Sequence, residues 1–259
     1  MAPESKLAAV KVAVVTGGSS GIGAAIARAL TRRGWHCVLL ARGRERLERV
    51  AAEIGAEFEQ CDVADRDQVE KVARWVGETH PAVQLLVNNA GVSERRAFLE
   101  LPPERIEEVI RINYLGSVWC VRAFLPLLEA GAPSDVVNVV SVAGTIAYGS
   151  GGAYSASKHA QLAFSRRIGV ELASRGIRVH TVNPGPVPTV SFPQGRLLRH
   201  PLARHWVATA DDIAEATVRA IERGRAEIIR PRSLRLLAVA QSLAPATMAR
   251  IMARLSRSS

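Results

Sequence analysis

The chain has 259 residues, of which 48% are hydrophobic and 22% charged, with a net charge of +10; it can bury a substantial core, and its apolar runs are too short to span a bilayer. Its start, MAPESKLAAV, lacks the apolar core of a secretory signal, and Cys37, Cys61 and Cys120 are widely spaced with no C-x-x-C pair. These features point to an intracellular, cytoplasmic enzyme or binding protein and argue against a disulfide framework or a thiolate metal site.

Short β-branched runs alternate with stretches of helical period. Strands are expected at 12–16, 37–41, 57–62, 85–89, 135–141, 178–183 and 227–230, and helices at 22–33, 44–54, 68–79, 104–128, 153–174 and 211–222. VAVV and CVLL are apolar on successive residues, as in strands covered on both faces. The alternation predicts one α/β domain over 1–259, a Rossmann-like doubly wound parallel sheet of about seven strands with helices on both faces. Segment 184–205 breaks the rhythm with Pro186, Pro188, Pro193 and Pro201 and is read as a substrate loop.

The first strand runs directly into TGGSSGIG, residues 16–23, and then into a helix. Glycines at 17, 21 and 23 permit a tight turn and close backbone approach to a phosphate, with free N–H groups at the helix start. The second strand ends in LLARGRERL, where Ala41 stands at the position in which an acidic residue would select NAD. Arg42, with Arg44 beyond it, could instead grip a 2′-phosphate, so NADPH is preferred over NADH; the competing reading makes both arginines solvated loop charges.

GGAYSASKHA sets Tyr154 and Lys158 four residues apart, on one face of a helix. A cation about 4 Å from the phenol, at an effective dielectric of ~20, favours the phenolate by up to roughly 4 kcal/mol. Alone, the pair reads first as an ordinary polar helix face.

Together with CDV at 61–63, NNAG at 88–91, INYLG containing Asn113, VVSVAG containing Ser141 and NPGPVPT at 183–189, these motifs resemble the classical short-chain dehydrogenase/reductase family. The resemblance extends to about Thr189. It implies that Tyr154 is the general acid in reduction and the base in oxidation, that Lys158 lowers its pKa and binds the nicotinamide ribose, that Ser141 holds the substrate oxygen, and that Asn113 anchors a water linking Lys158 to solvent. Donors placed around a carbonyl oxygen are what hydride transfer requires independently. The resemblance further implies that Gly17, Ser19, Ser20 and Ile22 line the pyrophosphate and adenosine ribose, that Asp62 and Val63 meet the adenine, that Asn89, Ala90 and Gly91 flank the adenosine side, and that Pro184, Gly185, Val187 and Thr189 approach the nicotinamide. Structural readings stand beside these: Asn88 is taken to tie neighbouring strands together, and Asp62 could simply cap a strand end. The six histidines show no ligand spacing, His159 is given no catalytic role, and no metal is expected.

Substrate choice is assigned to Ser93, Ala143, Ile146 and Tyr148 and to loop 184–205, whose apolar character suggests an apolar, lipid- or steroid-like carbonyl or alcohol. Arg95, Arg96, Arg196 and Arg199 could face an anionic group or remain solvated. Residues 195–259 hold twelve arginines and no lysine against five acidic residues, but lack the aromatic interleaving and motifs of a nucleic-acid binder. The extension 232–259 carries Met248, Ile251, Met252 and Leu255 at helical spacing opposite Arg250, Arg254 and Arg257. This basic amphipathic segment is expected to pack on the protein or a partner subunit, with peripheral membrane contact as the alternative. The expected activity is NADP-dependent interconversion of a carbonyl and a secondary alcohol in a homodimer or homotetramer. A 3-oxoacyl-carrier-protein reductase and a non-catalytic NADP-binding sensor or scaffold are the rival readings.

Overall fold

The computed structural model describes residues 10–94, 96, 98–146, 151–189, 206–248 and 250–251. They form a seven-stranded sheet: β1 (Val12–Thr16), β2 (His36–Ala41), β3 (Glu57–Gln60), β4 (Leu85–Asn88), β5 (Ser134–Val139), β6 (Ile177–Pro184) and β7 (Glu227–Arg230). All pairings are parallel, in the order β3-β2-β1-β4-β5-β6-β7. The helices are α1 (Gly21–Thr31), α2 (Arg44–Ile54), α3 (Arg66–Thr79), α4 (Pro103–Ile110), α5 (Gly116–Ala130), α6 (Gly152–Ala173), α7 (Ala210–Glu222) and α8 (Leu234–Leu243).

Strand β1 shows why these runs become strands. Ala13 and Val15 enter the core on one face with residues of α1, α2 and α7, whereas Val12 and Val14 enter the opposite core with residues of α3, α5 and α6. Burial on both faces explains the absence of apolar alternation. The strand order reverses between β1 and β4, so a crevice opens there beyond the carboxyl ends of the strands, where ligands bind in open α/β sheets.

Element bounds agree with the sequence reading to within two residues, with one correction. The helix expected over 104–128 is divided: α4 ends at Ile110, a wide π turn occupies Arg111–Leu115, and α5 begins at Gly116. Asn113 sits in that turn, and its carboxamide accepts from Val92 N–H at 2.8 Å while donating to Val92 C=O at 3.0 Å. The extra residue per turn allows the helix to present Asn113 to this backbone.

At the C-terminal end, Leu234 and Ala238 of α8 are buried, while Leu236, Val239 and Leu243 are exposed. Met248 is buried and Ile251 is 44% exposed; Met252, Arg254, Leu255 and Arg257 lie outside the described residues. Among the described residues, no helix is long and apolar enough to cross a membrane.

A charge cluster of buried Asp135 and His180 with the exposed Arg178 joins β5 to β6. Asp135 accepts from Arg178 Nε at 2.8 Å and Nη2 at 3.0 Å, and its Oδ1 lies 2.8 Å from His180 Nε2. Burial alone would raise the Asp135 pKa, but the hydrogen bonds from His180 and Arg178 outweigh it and hold the carboxyl below its ordinary 3.8. A depressed carboxyl stabilises the fold above its unfolded pKa, and that contribution is lost as pH falls through the folded value. Asp135→Asn is therefore expected to lower stability at neutral pH by about 1–2 kcal/mol, since the exposed Arg178 is screened by solvent. Urea unfolding of both proteins across the acid range should show the difference narrowing below pH ~4; a constant difference would refute this account.

Candidate active site

The crevice beside β1 begins with the turn after Thr16. Gly17 and Gly21 have φ of +66° and +55°, in the left-handed region that disfavours side chains. A Cβ on Gly23 would lie 2.4 Å from both Gly17 O and Asn89 Nδ2. Asn89 Nδ2 donates to Thr16 O at 3.0 Å and Gly17 O at 3.3 Å, which joins the turn to the end of β4. Ser20, the N-cap of α1, makes no side-chain cap bond, and the first helical turn faces the cavity. Free N–H groups and the helix dipole make this an anion site.

A single cavity of about 710 Å³ continues from this turn. Gly17, Ser19, Ser20 and Ile22 line its first part, and Arg42, Asp62 and Val63 line the next corner. Asn89, Ala90, Gly91 and Ser93 form one wall; Ser141, Ala143, Tyr154 and Lys158 stand on another, with Pro184, Gly185, Val187 and Thr189 beside them.

At the Arg42 corner, Arg42 Nη1 lies 3.9 Å from Asp62 Oδ2. The second arginine on the cavity wall is Arg46, which the sequence reading missed; Arg44 begins α2 and lies over the Phe58 ring at 5.6 Å. Asp62 fits both of its readings, since it lines the cavity and Oδ1 accepts from Ala64 N–H at 3.0 Å. Asn88 bridges strands as expected, donating to Asn138 Oδ1 at 2.9 Å.

Ser141 caps a short 3₁₀ turn, Val142–Gly144, and its Oγ accepts from Ala143 N–H at 3.1 Å. Tyr154 and Lys158 are on the first turns of α6, with Lys158 Nζ 6.0 Å from the centre of the Tyr154 ring. The ammonium donates to Val139 O at 3.1 Å and to Gln161 Oε1 at 2.7 Å. Burial pushes the Lys158 pKa down to about 7, because desolvation disfavours its charged form. Gln161, a further residue missed in the sequence, donates in turn to Ser117 Oγ at 2.8 Å.

Asn113 is fully buried behind the wall and donates to Ser157 Oγ at 3.0 Å. A Cβ on Gly91 would lie 3.1 Å from Asn113 Oδ1 and 3.7 Å from Lys158 Nζ, so both groups stand behind one glycine. Ile146 is corrected: it is completely buried and off the cavity wall, because the chain reverses through the 3₁₀ turn and Ile146 N–H bonds Val142 O. Tyr148, Arg95, Arg196, Arg199 and segment 190–205 lie outside the described residues. Arg96 is paired with Glu94, which also binds Arg105.

A glycine-lined anion site at the reversal of strand order, continued by a wall bearing serine, tyrosine and lysine, defines a dinucleotide-binding oxidoreductase class of fold. The sequence profile of the short chain dehydrogenase family matches residues 11–195, and the chain belongs to that family. It is an oxidoreductase acting on alcohol or carbonyl substrates. The chain is 35% identical over 187 residues to 1-deoxy-11-beta-hydroxypentalenate dehydrogenase of Streptomyces exfoliatus, covering 69% of this chain and 68% of that one. An alcohol dehydrogenase from Thermococcus sibiricus, solved with 5-hydroxy-NADP, superposes with a TM-score of 0.75 at 32% identity over 85% of this chain and 95% of that one. A short chain dehydrogenase/reductase from Burkholderia phymatum, solved with NAD, gives 0.80 at 28% identity over 90% and 93%.

The contacts around Gly23 generate a test independent of substrate. Gly23→Ala is expected to cost about 2 kcal/mol of stability, because backbone on one side and the Asn89 carboxamide on the other leave no room for a methyl group. Denaturant unfolding checks this, and unchanged stability would contradict the close approach.

Proposed function

We propose that the protein is an NADP-dependent reductase that interconverts a carbonyl and a secondary alcohol on a mostly apolar substrate. The observation that carries this reading is the shared cavity: Ser141, Tyr154 and Lys158 line one part, and Arg42 and Arg46 line the part where an acidic residue would repel a 2′-phosphate. The glycine turn suits a dinucleotide because, with no Cβ at Gly17 and Gly23, the turn packs closely on Asn89 and the start of α1 lies open to the cavity, where helix N–H groups favour a phosphate. Bound NADPH supplies the hydride for reduction.

The chain's own residues supply the rest. Gly17, Ser19, Ser20 and Ile22 hold the pyrophosphate and adenosine ribose, Asp62 and Val63 the adenine, and Asn89, Ala90 and Gly91 the adenosine side. Pro184, Gly185, Val187 and Thr189 border the nicotinamide end. Ser141 Oγ donates to the substrate oxygen, and the Tyr154 hydroxyl delivers the proton as negative charge builds there. In oxidation the same hydroxyl oxygen takes the proton. Lys158 supports the phenolate and binds the nicotinamide ribose, while Asn113 orders the route by which protons return. Ser93 and Ala143 contact the substrate. Catalysis is favoured over a sensor role because the complete serine, tyrosine and lysine set borders one cavity. Assembly into a homodimer or homotetramer is part of the same proposal.

Tyr154→Phe is expected to lower kcat by about 10³-fold with the best substrate from a panel of steroids, acyl thioesters, quinones and simple ketones, while NADPH binding by fluorescence titration stays within about twofold. Normal turnover in that variant would overturn the mechanism. For cofactor choice, Arg42→Ala combined with Arg46→Ala should weaken NADPH by about 10- to 100-fold and barely change NADH. Equal losses for both cofactors would remove the 2′-phosphate argument.

A further inference from the structure

At the edge of the sheet opposite the cavity, three side chains from distant parts of the sequence converge. His36 opens β2, Glu57 opens β3, and His80 is the C-cap of α3. Glu57 Oε1 lies 2.8 Å from His36 Nε2 and 3.0 Å from His80 Nε2. One ligand-type atom from each residue lies within 4.8 Å of the other two, and the imidazole centres are 4.9 Å apart.

Register explains the meeting. Val38 pairs with Glu57, and His36 is two residues before Val38, hence on the same face of β2. Val38 belongs to the core shared with Val69, Val72 and Val76 of α3, so this is the face that α3 covers before ending at His80. The His36, Glu57 and His80 side chains retain 29%, 34% and 16% exposure, which leaves an approach for water.

We propose that His36, Glu57 and His80 form a site for a divalent late transition-metal ion of the Zn²⁺ type. Two imidazoles and one carboxylate are a Zn²⁺ donor set, with water as the fourth ligand. At ligand distances of about 2.0–2.1 Å, tetrahedral geometry separates neighbouring ligand atoms by about 3.3 Å. The two separations from Glu57, 2.8 and 3.0 Å, therefore need to widen by about 0.3–0.5 Å, and the two imidazole nitrogens, within 4.8 Å of each other, need to reach the same spacing. Glu57 contributes one negative charge, and the imidazoles discriminate against Mg²⁺ and Ca²⁺, which take oxygen ligands. The ion ties the edge strand β3 to β2 and α3, and thus stabilises the fold from the edge opposite the reaction cavity. Without an ion, the same residues form a hydrogen-bonded triad, and the experiment separates the two states.

The experiment uses the untagged full chain after chelator treatment, titrated with ZnCl2 by calorimetry and thermal melting. One equivalent should bind at micromolar or lower concentration and raise Tm, while MgCl2 at the same concentration should do neither. Glu57→Gln and His80→Gln should each weaken Zn²⁺ binding by at least about tenfold. Because these changes also disturb the triad, Co²⁺ added to the wild-type chain gives a second readout. Four-coordinate Co²⁺ should show visible d–d absorption without a near-ultraviolet thiolate band. No saturable Zn²⁺ binding, binding unchanged in both variants, or a thiolate band would each overturn the proposal.

Discussion

The architecture of the site depends on a close approach of backbone segments where the strand order reverses. Gly23 at the start of α1 meets Gly17 of the preceding turn, with the Asn89 carboxamide packed beside them. Thr16 Oγ1 accepts from Asn89 and Ala90 N–H groups while donating to Val87 O, so β1 and the end of β4 are locked by polar contacts as well as by the sheet. From there the order propagates along the chain. Asn113 grips Val92 through both backbone groups and bonds Ser157, whose hydroxyl donates to Tyr154 O. Two sets of hydrogen bonds, linked by the backbone of residues 90–92, thus join the glycine turn to the helix bearing Tyr154 and Lys158.

That order is built partly from buried polar groups, which are costly unless partnered. Lys158 is the sharpest case, since burial moves its charge change to about pH 7. Val139 O and Gln161 Oε1 accept from its ammonium, and Gln161 carries the connection to Ser117 on α5. The ammonium is held by a β5 carbonyl on one side and by Gln161 of its own helix on the other, and Gln161 is in turn fixed by Ser117 of α5. Its setting is thus part of the packing between α5, α6 and β5, whereas the four-residue spacing to Tyr154 accounts only for their shared helix face.

What was legible in the sequence follows from the range of the interaction. Strand β1 was legible because burial on both faces leaves a continuous apolar run, and Tyr154 with Lys158 because one helical turn relates them. The break between α4 and α5 was hidden, since apolar residues continue across Arg111–Leu115 and a single widened turn leaves their composition unchanged. Arg44 and Arg46 are indistinguishable as charges, but the phase of α2 puts one over Phe58 and the other on the cavity wall. Ile146 was misassigned because proximity to Ser141 in sequence does not survive the reversal at Val142–Gly144. The His36–Glu57–His80 cluster left no trace in residue spacing, because only the β2–β3 register and the return of α3 bring the two histidines to Glu57.

The parallel sheet also divides the molecule electrically. Each crossover helix begins near the carboxyl ends of the strands and finishes near their amino ends, so helix N-termini gather at one edge and helix C-termini at the other. At the first edge, the open start of α1 and the nearby Arg42 and Arg46 favour an anion. At the second, His80 follows the final turn of α3, where unpaired carbonyls concentrate negative potential, and Glu57 adds a carboxylate between two imidazoles. The same right-handed winding that creates a setting favourable to an anion beside β1 therefore creates one favourable to a cation beside β3. The chemistry at the two edges differs because the fold presents opposite ends of its peptide dipoles to them.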